Sequence, residues 1–402
     1  MNCRFCKTKL KKEFLDIGKS ALANSFNKSK RQSIEQKKLP LILSICDNCL
    51  LIQHSSKISH TKIFDEYSYF SSYSQDTLDH SKEYIKKIEK YLNKSDNILE
   101  IACNDGYLLQ YFDKEKYNIF GIEPAKNVAK VAKKNGVNVI NDYFNQSLSQ
   151  KIKKKNFKLI VCNNVFAHIP NIYSFTKGLN NICTDETVIT IEVQHVHKLI
   201  KANLIDMIYH EHYYYHSLKS IINLFKEFKL EVFKCEEITT HGGSLRFYIS
   251  RKNKYKKDNN LKKILDNEKN DIFNNIYNKK QNLIQRRYNL FFNDTKIKLD
   301  EIFRKNKVVG FGAAAKSTTL INIFNLSVNE IKMIADDTPY KQGCYIPGSN
   351  IPIVNPDLLE KESFDYIIIF AWNYFNTIKK RLKKAFPKAK FIRIVPKLEI
   401  SK

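Results

Sequence analysis

The sequence lacks a long apolar run, since no segment approaches the ~20 residues that a helix needs to cross a bilayer. The first residues, Met-Asn-Cys-Arg, also lack the apolar segment of a secretion signal. From these two absences we expect a soluble cytoplasmic protein that does not interact with membranes.

Acidic residues are scarce as well. The chain has 41 Asp and Glu against 68 Lys and Arg, which gives a formal net charge of +27. Such an excess is typical of proteins that bind nucleic acid, but here the lysines are spread along the whole chain. We therefore expect no nucleic-acid partner, and the basic field favours an acidic substrate such as a nucleotide diphosphate.

The chain nevertheless has enough apolar material for real cores, with 43% hydrophobic and 12% aromatic residues. Its 402 residues exceed the size of one ordinary domain, so we expect two or three.

The cysteines fall into two groups. Five stand alone in apolar or mixed surroundings and are predicted to be buried thiols: Cys103, Cys162, Cys183, Cys235 and Cys344. The other four form two pairs, Cys3-x-x-Cys6 and Cys46-x-x-Cys49, with 39 residues between the pairs. Four thiolates suit a closed tetrahedral zinc site. Two separate redox pairs are the alternative, but no other redox motif accompanies them, so we predict structural zinc.

The stretch NILEIACNDGYLL organises the middle of the chain. Its apolar part, Ile98–Ala102, predicts a buried parallel strand. Asn104, Asp105 and Gly106 predict a tight polar turn, and Tyr107 is expected to begin a helix. Strand, turn and helix start together are typical of a nucleotide site at the carboxyl end of a sheet.

Glycine is too scarce in this turn for the G-x-G-x-x-G cradle of a pyrophosphate. A short acidic turn suits a cofactor with a cationic or neutral head. Glu123, at the end of the next strand, is placed to bond ribose hydroxyls. We interpret this arrangement as an S-adenosylmethionine (SAM) site, and an ordinary turn with a capping aspartate is the alternative.

The residues from 97 onward alternate in a strand–helix rhythm that predicts a doubly wound α/β sheet. The predicted strands lie near 97–102, 118–122, 137–140, 157–162 and 186–193, followed by 229–236 and 243–250, which suit antiparallel pairing. The predicted helices lie near 76–92, 106–113, 125–134, 146–152, 171–180 and 217–227. Polar residues at strand ends, among them Asp142, Asn164 and His168, are candidates for the site because ligands bind beyond the carboxyl ends of strands.

The most unusual segment is Asp206–His216, in which Tyr, His and Glu are dense. The His-x-His spacing of His210 and His212 in an extended segment could indicate a metal site, but the segment does not match the H-E-x-x-H pattern, which disfavours one. Histidine can take a proton near neutral pH, so acid/base chemistry is the better interpretation. Glu211 would then orient or polarise, and Tyr209 would stabilise an oxyanion. A solvated histidine-rich loop is the alternative.

Three further segments follow. Thr240–Ser250 contains a Gly-Gly turn and is either a plain hairpin or a place where His241 and Arg246 bind phosphate or sugar hydroxyls. Residues 251–307 have helical spacing and predict two or three linking helices. Residues 307–322 predict strand, glycine turn and helix, with Lys316 placed to attract phosphate. The G-x-G-x-x-A pattern there, with acids near 336, would fit NAD, but that motif alone is weak evidence. The strand near 391–395 is expected to close this second sheet.

Taken together, these motifs resemble the SAM-dependent sugar C-methyltransferases that act on nucleotide-linked keto-deoxysugars. The resemblance covers essentially the whole chain and rests on the cysteine pairs, the NDGYL turn, NVFAHIP, YHEH, HGGSLR, GFGAAAK, the KQG…PGSNIP segment and AWN. One departure is Ala102-Cys103, where the family commonly has Gly-Ser or a similar small pair.

The resemblance implies an α/β architecture in three parts. A small zinc-binding domain occupies 1–75, a Rossmann-like SAM methyltransferase domain 76–252, and linking helices plus a second Rossmann-like α/β domain that does not use NAD occupy 253–402. The nucleotide sugar would lie between the last two. In this scheme His212 removes the proton next to a ketone and the resulting enolate attacks the methyl group of SAM.

The resemblance also implies the roles of individual residues. Supporting catalytic roles fall to Tyr209, Glu211 and His168. Cofactor binding falls to Tyr69, Asn104, Asp105, Gly106, Glu123, Asp142 and Asn164. Substrate binding falls to His241, Ser244, Arg246, Lys316, Lys341, Trp372 and Asn373. Zinc binding falls to Cys3, Cys6, Cys46 and Cys49. The alternatives are methylation at another position or on oxygen, a zinc-anchored NAD-binding or non-enzymatic protein, and a nucleic-acid-binding protein with zinc knuckles.

Overall fold

The computed structural model describes residues 1–55, 70–278 and 282–401, and these residues form three sheets. The helices are α1 (Lys30–Ile34), α2 (Gln75–Ile88), α3 (Lys126–Lys134), α4 (Gln146–Ile152), α5 (Ile172–Ile182), α6 (Val196–Lys201), α7 (Leu218–Lys226), α8 (Asn260–Glu268), α9 (Asn274–Ile276), α10 (Leu283–Lys305), α11 (Ala315–Ile323) and α12 (Phe375–Ala385). No helix in these described ranges has both the length and the apolar character that crossing a membrane demands.

The first sheet is antiparallel and joins two distant parts of the chain. Its strands, in order, are β1 (Lys12–Ser20), β2 (Leu39–Ile45), β3 (Ile52–His54) and β9 (Tyr214–Tyr215). The last of these belongs to the histidine-rich segment and pairs with β3 through Ile52 and Tyr215. The cysteine-bearing domain is therefore hydrogen-bonded directly to the segment that carries the candidate catalytic residues.

The central sheet has the doubly wound form that the sequence predicts. Its strands are β4 (Asn97–Ile101), β5 (Asn118–Ile122), β6 (Asn138–Ile140), β7 (Phe157–Asn163), β8 (Val188–Gln194), β10 (Leu230–Ile238) and β11 (Ser244–Arg251), in the spatial order β10-β11-β8-β7-β4-β5-β6. The predicted strand positions are confirmed, and β11 is antiparallel to both of its neighbours. The strand order reverses between β4 and β7, which is where such sheets bind ligands.

The helix predicted over 106–113 is wrong. The chain forms turns there and only one short 3₁₀ segment, Leu109–Tyr111. Adjacent side chains Leu108 and Leu109 are both fully buried. Gly106 has φ of +83°, which lies outside the right-handed helical region, so no α-helix begins at this residue.

The third sheet belongs to the C-terminal domain. Its strands are β12 (Val308–Phe311), β13 (Ile334–Ala335), β14 (Ile353–Val354), β15 (Tyr366–Ile369), β16 (Lys390–Arg393) and β17 (Glu399–Ser401), in the order β14-β13-β12-β15-β16-β17. All neighbours pair in parallel except β16 and β17. The expectation that the strand near 391–395 closes the sheet is wrong. The three-residue strand β17 pairs antiparallel with β16 and forms the edge of the sheet, and the sequence pattern did not predict it.

One apolar core ties the first and third domains together. Phe14 and Leu41 of the first sheet belong to the same buried cluster as Leu320 of α11 and Ile346 of the C-terminal domain. The helices α8 to α10 link the two larger domains, as the spacing in 251–307 predicts. This shared core fixes the position of the N-terminal domain beside the mouth of the central sheet.

Candidate active site and metal centre

A large cavity lies at the carboxyl ends of β4, β5, β7 and β8. Its volume is about 1100 Å³, and all three domains line it. The N-terminal domain supplies the chain just after β1, the central domain supplies the strand ends and the 207–212 turn, and the C-terminal domain supplies the start of α11. Cavities for one drug-sized ligand typically measure about 300–1,000 Å³, so this cavity has room for a cofactor and a second ligand.

Glu123 and Asn104 lie side by side in the cavity wall. The Glu123 carboxylate accepts hydrogen bonds from the backbone N–H of Asn104 (3.0 Å) and of Ala125 (2.9 Å). Burial raises the pKa of Glu123, and these two N–H groups oppose that shift. An acceptor held in this way at the end of the second strand can bind the hydroxyl groups of a ribose.

Asp105 and Gly106 stand behind this wall rather than in it. Asp105 is buried, and its Oδ2 accepts hydrogen bonds from the backbone and the hydroxyl of Ser72. Asn104 accepts a hydrogen bond from the backbone of Ser71 at 2.9 Å. Gly106 has φ of +83°, and a Cβ there would lie 3.1 Å from Val137. The turn therefore holds residues 71–72, which lead into α2, by hydrogen bonds. Its glycine lets the backbone pack closely against Val137.

The polar ends of β7 and β8 face the same cavity. Asn163, Asn164 and Gln194 all line it. Among the described residues, Oδ1 of Asn163 and both amide atoms of Gln194 have no hydrogen-bond partner although they are buried. Buried polar atoms of this kind normally have partners, so these amides are suited to the amino, carboxylate and hydroxyl groups of SAM or of a second ligand.

Asp142 does not face the cavity. Its exposed carboxylate accepts a hydrogen bond from the backbone of Tyr143 at 2.7 Å. The adjacent Tyr143, Phe144 and Asn145 line the cavity instead. Tyr69, the remaining predicted cofactor residue, lies outside the described residues.

The segment from Tyr209 to His212 forms a turn, not the extended strand that the sequence analysis assumed. The backbone N–H of His212 bonds the Tyr209 carbonyl at 3.0 Å. The ring of His212 lies in the cavity wall, with Nδ1 3.2 Å from the Met207 carbonyl and Nε2 3.0 Å from the Tyr209 hydroxyl. A carbonyl only accepts, so Nδ1 carries the proton and Nε2 is the basic nitrogen.

Two further predicted residues complete this part of the wall. The His168 ring packs 4.7 Å from that of His212, and burial lowers the pKa of His168 to about 4. Glu211 is 3% exposed and accepts a hydrogen bond from the Asn24 side chain at 2.7 Å. Burial raises the pKa of Glu211 to about 7. The structure thus brings together a neutral imidazole, a basic nitrogen, a phenol and a carboxyl that can be protonated near neutral pH.

His210 points away from this group. Its ring packs 5.0 Å from that of His54 under the N-terminal sheet. Within the described part of the chain, the cysteine tetrad is the only His, Cys, Asp and Glu cluster with metal-binding geometry.

Lys316 lines the cavity from the C-terminal domain. It lies in the first turn of α11, and its ammonium sits 4.7 Å above the Trp372 ring and donates to Asn373 at 3.1 Å. Trp372 Nε1–H donates to the buried Asp206 at 2.6 Å. Trp372 and Asn373 do not line the cavity themselves but hold Lys316, and through Asp206 they contact the segment that leads to His212.

Lys341 also lines the cavity, 3.5 Å from the Asp336 carboxylate. Asp336 accepts hydrogen bonds from the backbone of Ala313 (2.6 Å) and Thr338 (2.9 Å). Glu123 makes the same pattern of bonds in the central domain. In both α/β units, a carboxylate at the end of the second strand therefore accepts a backbone hydrogen bond from the turn that follows the first strand, and so holds that turn in place.

Arg246 lies outside the cavity, against the expectation that it binds phosphate or sugar. It is 2% exposed and donates to Glu192 at 2.7 Å, with its guanidinium 4.6 Å from the centre of the Tyr84 ring. Burial tends to raise the pKa of Glu192, but hydrogen bonding from His80 and the charge of Arg246 lower it to about 2. The antiparallel pairing of β8 with β11 places Arg246 opposite Glu192. The positive charge of Arg246 is therefore neutralised by Glu192.

Ser244 is also buried, and its hydroxyl donates to the Thr240 carbonyl at 3.1 Å. The side chain of His241 lies outside the described parts of the structure.

Sequence reasoning missed two sets of residues. Gln194 follows the last buried residue of β8, so the strand-end rule that selected Asn164 would have found it. Asn24, Leu22 and Phe26 reach the cavity from the N-terminal domain, and no sequence pattern marks them.

The four paired cysteines form one compact cluster. Their Sγ atoms all lie within 4.8 Å of one another, with Cys3 to Cys49 at 3.6 Å and Cys6 to Cys46 at 3.4 Å. A tetrahedral zinc with Zn–S bonds of about 2.3 Å requires sulfur separations of about 3.8 Å, and disulfide sulfurs would be about 2.05 Å apart. Gln53 donates to the sulfur of Cys3 at 3.3 Å. The cluster therefore fits zinc, and the five isolated cysteines are buried as predicted.

Three family models match successive parts of the chain. A zinc binding domain matches residues 3–64, a methyltransferase domain residues 75–234, and a C-methyltransferase C-terminal domain residues 239–396.

Individual proteins match as well. The C-methyltransferase NovU of Streptomyces niveus is 27% identical over 387 residues, which is 92% of this chain and 90% of the relative. A SAM-dependent methyltransferase from Archaeoglobus fulgidus is 12% identical with a TM-score of 0.35, over 43% of this chain and 94% of its own. The magnesium protoporphyrin IX methyltransferase (ChlM) from Synechocystis PCC 6803 is 11% identical with a TM-score of 0.32, over 44% of this chain and 79% of its own.

Proposed function

From the premise that this chain is a SAM-dependent C-methyltransferase with an N-terminal zinc-binding domain, we propose that it methylates a carbon of a nucleotide-diphosphate-linked 4-keto-6-deoxysugar. SAM, when bound, supplies an electrophilic methyl group. The observation that carries the proposal is the basic Nε2 of His212, which lies in the wall of the same cavity as Asn104 and Glu123.

His212 acts as the general base. Carbon becomes a nucleophile only after a proton leaves the position next to a carbonyl, so the reaction needs a positioned base. The Met207 carbonyl fixes the tautomer that leaves Nε2 unprotonated. Before substrate binds, the Tyr209 hydroxyl, 3.0 Å away, donates its one proton to Nε2 and keeps the ring aligned. In the reaction this hydroxyl turns its proton to the carbonyl oxygen of the substrate, Nε2 accepts the α-proton, and the new Nε2–H donates to the phenol oxygen.

The electron pair released by this step moves onto the carbonyl oxygen, which needs hydrogen-bond donors. The Tyr209 hydroxyl and the protonated form of Glu211 lie in the same wall and supply them. Burial holds the pKa of Glu211 at about 7, so the donor form is populated at neutral pH. A basic imidazole beside an acidic carboxyl is the pairing that proton transfer next to a carbonyl requires.

The C-terminal side of the cavity suits the diphosphate. Lys316, Lys341 and the N-terminus of α11 converge there. The N-cap residue of α11 is Ala314, whose side chain makes no capping hydrogen bond. Backbone N–H groups at such a helix start, with two ammonium groups nearby, favour a phosphate oxygen.

Exchange of the α-proton tests the proposal. Incubation of the enzyme with a nucleotide 4-keto-6-deoxysugar in D₂O without SAM is expected to incorporate one deuterium at the carbon that is methylated. The physical reason is that the base acts on the sugar before methyl transfer. Mass spectrometry measures the deuterium, and a second incubation with SAM measures the added methyl group.

A control uses the 4-hydroxy sugar nucleotide, whose α-proton is not acidic and should not exchange. Methyl transfer to the keto sugar without any exchange in D₂O would contradict base catalysis on carbon and would favour an oxygen acceptor.

Trp372 provides a direct report of anion binding, because it is the only tryptophan in the chain. The Lys316 ammonium lies over its ring. A nucleoside diphosphate that draws this ammonium toward phosphate is expected to change the tryptophan emission in a saturable way. Replacing Lys316 by Gln should weaken binding by roughly tenfold, as expected for the loss of one charge-assisted contact.

The matched control is Lys332→Gln, which removes a charge from an exposed lysine of the same domain that pairs with Glu362. Its titration should match that of the wild type. An emission change of equal size and midpoint in Lys316→Gln would show that the diphosphate binds elsewhere.

A further inference from the structure

The chain just after β1 crosses from the N-terminal domain to the cavity, and its backbone is anchored on both sides. The Thr318 hydroxyl of α11 donates to the Ala23 carbonyl at 2.9 Å. The Tyr345 backbone N–H donates to the Asn27 carbonyl at 2.8 Å. Both anchors come from the C-terminal domain, so residues 21–27 are held against it independently of their own side chains.

Asn24 lies between these two anchors and faces the cavity. Its Nδ2 donates to Oε1 of Glu211 at 2.7 Å, and its backbone N–H also bonds that carboxylate. Glu211 itself is 3% exposed. A single residue of the N-terminal domain thus supplies both of the donors that oppose the burial of this carboxylate.

We propose that Asn24 is a positioning residue of the active site, which fixes the orientation and the protonation of Glu211, so that the zinc-bearing domain completes the catalytic machinery. This inference rests on the proposed function only through the role of Glu211. It assigns the N-terminal domain a task beyond holding zinc.

The physical argument concerns the two forms of the carboxyl group. Burial favours the neutral form of Glu211, and hydrogen bonds donated by Asn24 favour the charged form. The other titratable groups that face it are Tyr213 and His168. Burial, and after it the charge of Glu211, raises the pKa of Tyr213, and the ring of His168 bonds the Glu211 backbone. His212 follows directly in the chain. Asn24 therefore sets the balance between the neutral and the charged form of Glu211 at neutral pH.

The test measures the protonation of Glu211 directly. Zinc-loaded full-length protein is labelled with ¹³C at the Glu side-chain carboxyl groups and titrated by NMR, and Glu211→Gln identifies the signal. Removal of the donor in Asn24→Ala is expected to raise the pKa of Glu211 by about one to two units, because hydrogen bonds to charged groups are worth that much. The variant should fold, since the anchors at Ala23 and Asn27 use backbone atoms.

The second arm follows the rate of α-proton exchange against pH with the keto sugar nucleotide. The limb of the profile that disappears in Glu211→Gln should move to higher pH in Asn24→Ala. In Asn24→Asp a second carboxyl lies beside the first, so this limb should move further in the same direction. The control Asn93→Asp makes the same charge change at an exposed site of the central domain and should leave the limb in place.

The outcomes separate the two proposals. If the NMR pKa moves but the wild type exchanges no proton, the contact stands and the proposed function fails. If the wild type exchanges but neither the pKa nor the limb moves in Asn24→Ala, Asn24 is merely structural and the inference is overturned.

Discussion

Replacing His212 by alanine is expected to lower methyl transfer and α-proton exchange by about 10³-fold while SAM binding stays at the wild-type level. A positioned general base contributes roughly 10²–10⁴-fold to a rate, and Nε2 of His212 is the basic nitrogen fixed in the cavity wall. Single-turnover transfer and isothermal calorimetry with SAM measure the two quantities. Because the substitution opens space beside the cavity, added imidazole should restore part of the exchange.

The matched control is His197→Ala. His197 lies on α6, its buried imidazole bonds Asp271 at 2.7 Å, and it does not line the cavity. Its loss should therefore leave the turnover within about twofold of the wild type. Turnover of His212→Ala at the wild-type rate, or a loss that free imidazole never restores together with a loss of SAM binding, would remove His212 from the role of base.

Replacing Cys46 by serine is expected to release the zinc and to unfold the N-terminal domain. A structural zinc contributes about 10 kcal/mol or more to the folding of small domains. Cys46 belongs to one buried apolar cluster with Tyr213 and Tyr214, which directly follow the Tyr209–His212 turn. We therefore expect the zinc content to fall from about one to near zero per chain, the melting temperature to fall by roughly 10 °C or more, and activity to disappear with the metal.

Cys183→Ser is the control for this experiment. Cys183 is buried but is not one of the four clustered thiols, and its sulfur lies 3.5 Å from the Thr184 carbonyl, to which a serine hydroxyl can also donate. This variant should keep its zinc and its activity. Zinc retained by Cys46→Ser at full stoichiometry, as measured by elemental analysis, would contradict a four-cysteine site.

Local pattern was enough to predict much of this molecule. The strands from Asn97 to Asn163 were predictable because buried parallel strands are short continuous apolar runs. The two C-x-x-C pairs predict their own convergence, since a metal joins segments that the sequence separates. The density of titratable residues from Tyr209 to His212 marked the turn that we propose to be catalytic, because such groups are costly to bury without partners.

Other residues show where local pattern fails. Arg246 carries the charge that a phosphate site needs, but strand pairing places it opposite Glu192. Asp142 is polar and follows a strand, but the backbone turns its carboxylate outward, and the neighbouring Tyr143 lines the cavity. In both cases the residue has the chemical group that the prediction requires, but its side chain does not point into the cavity.

The sequence by itself determined which chemical groups this protein possesses and on which strand ends and turns they stand, because those depend on neighbours a few residues apart. Only the tertiary structure decided which of them share one cavity. Asn24 meets Glu211 and Trp372 meets Asp206 through contacts between domains. Such contacts depend on the packing of buried surfaces across the whole chain, and no short segment records them.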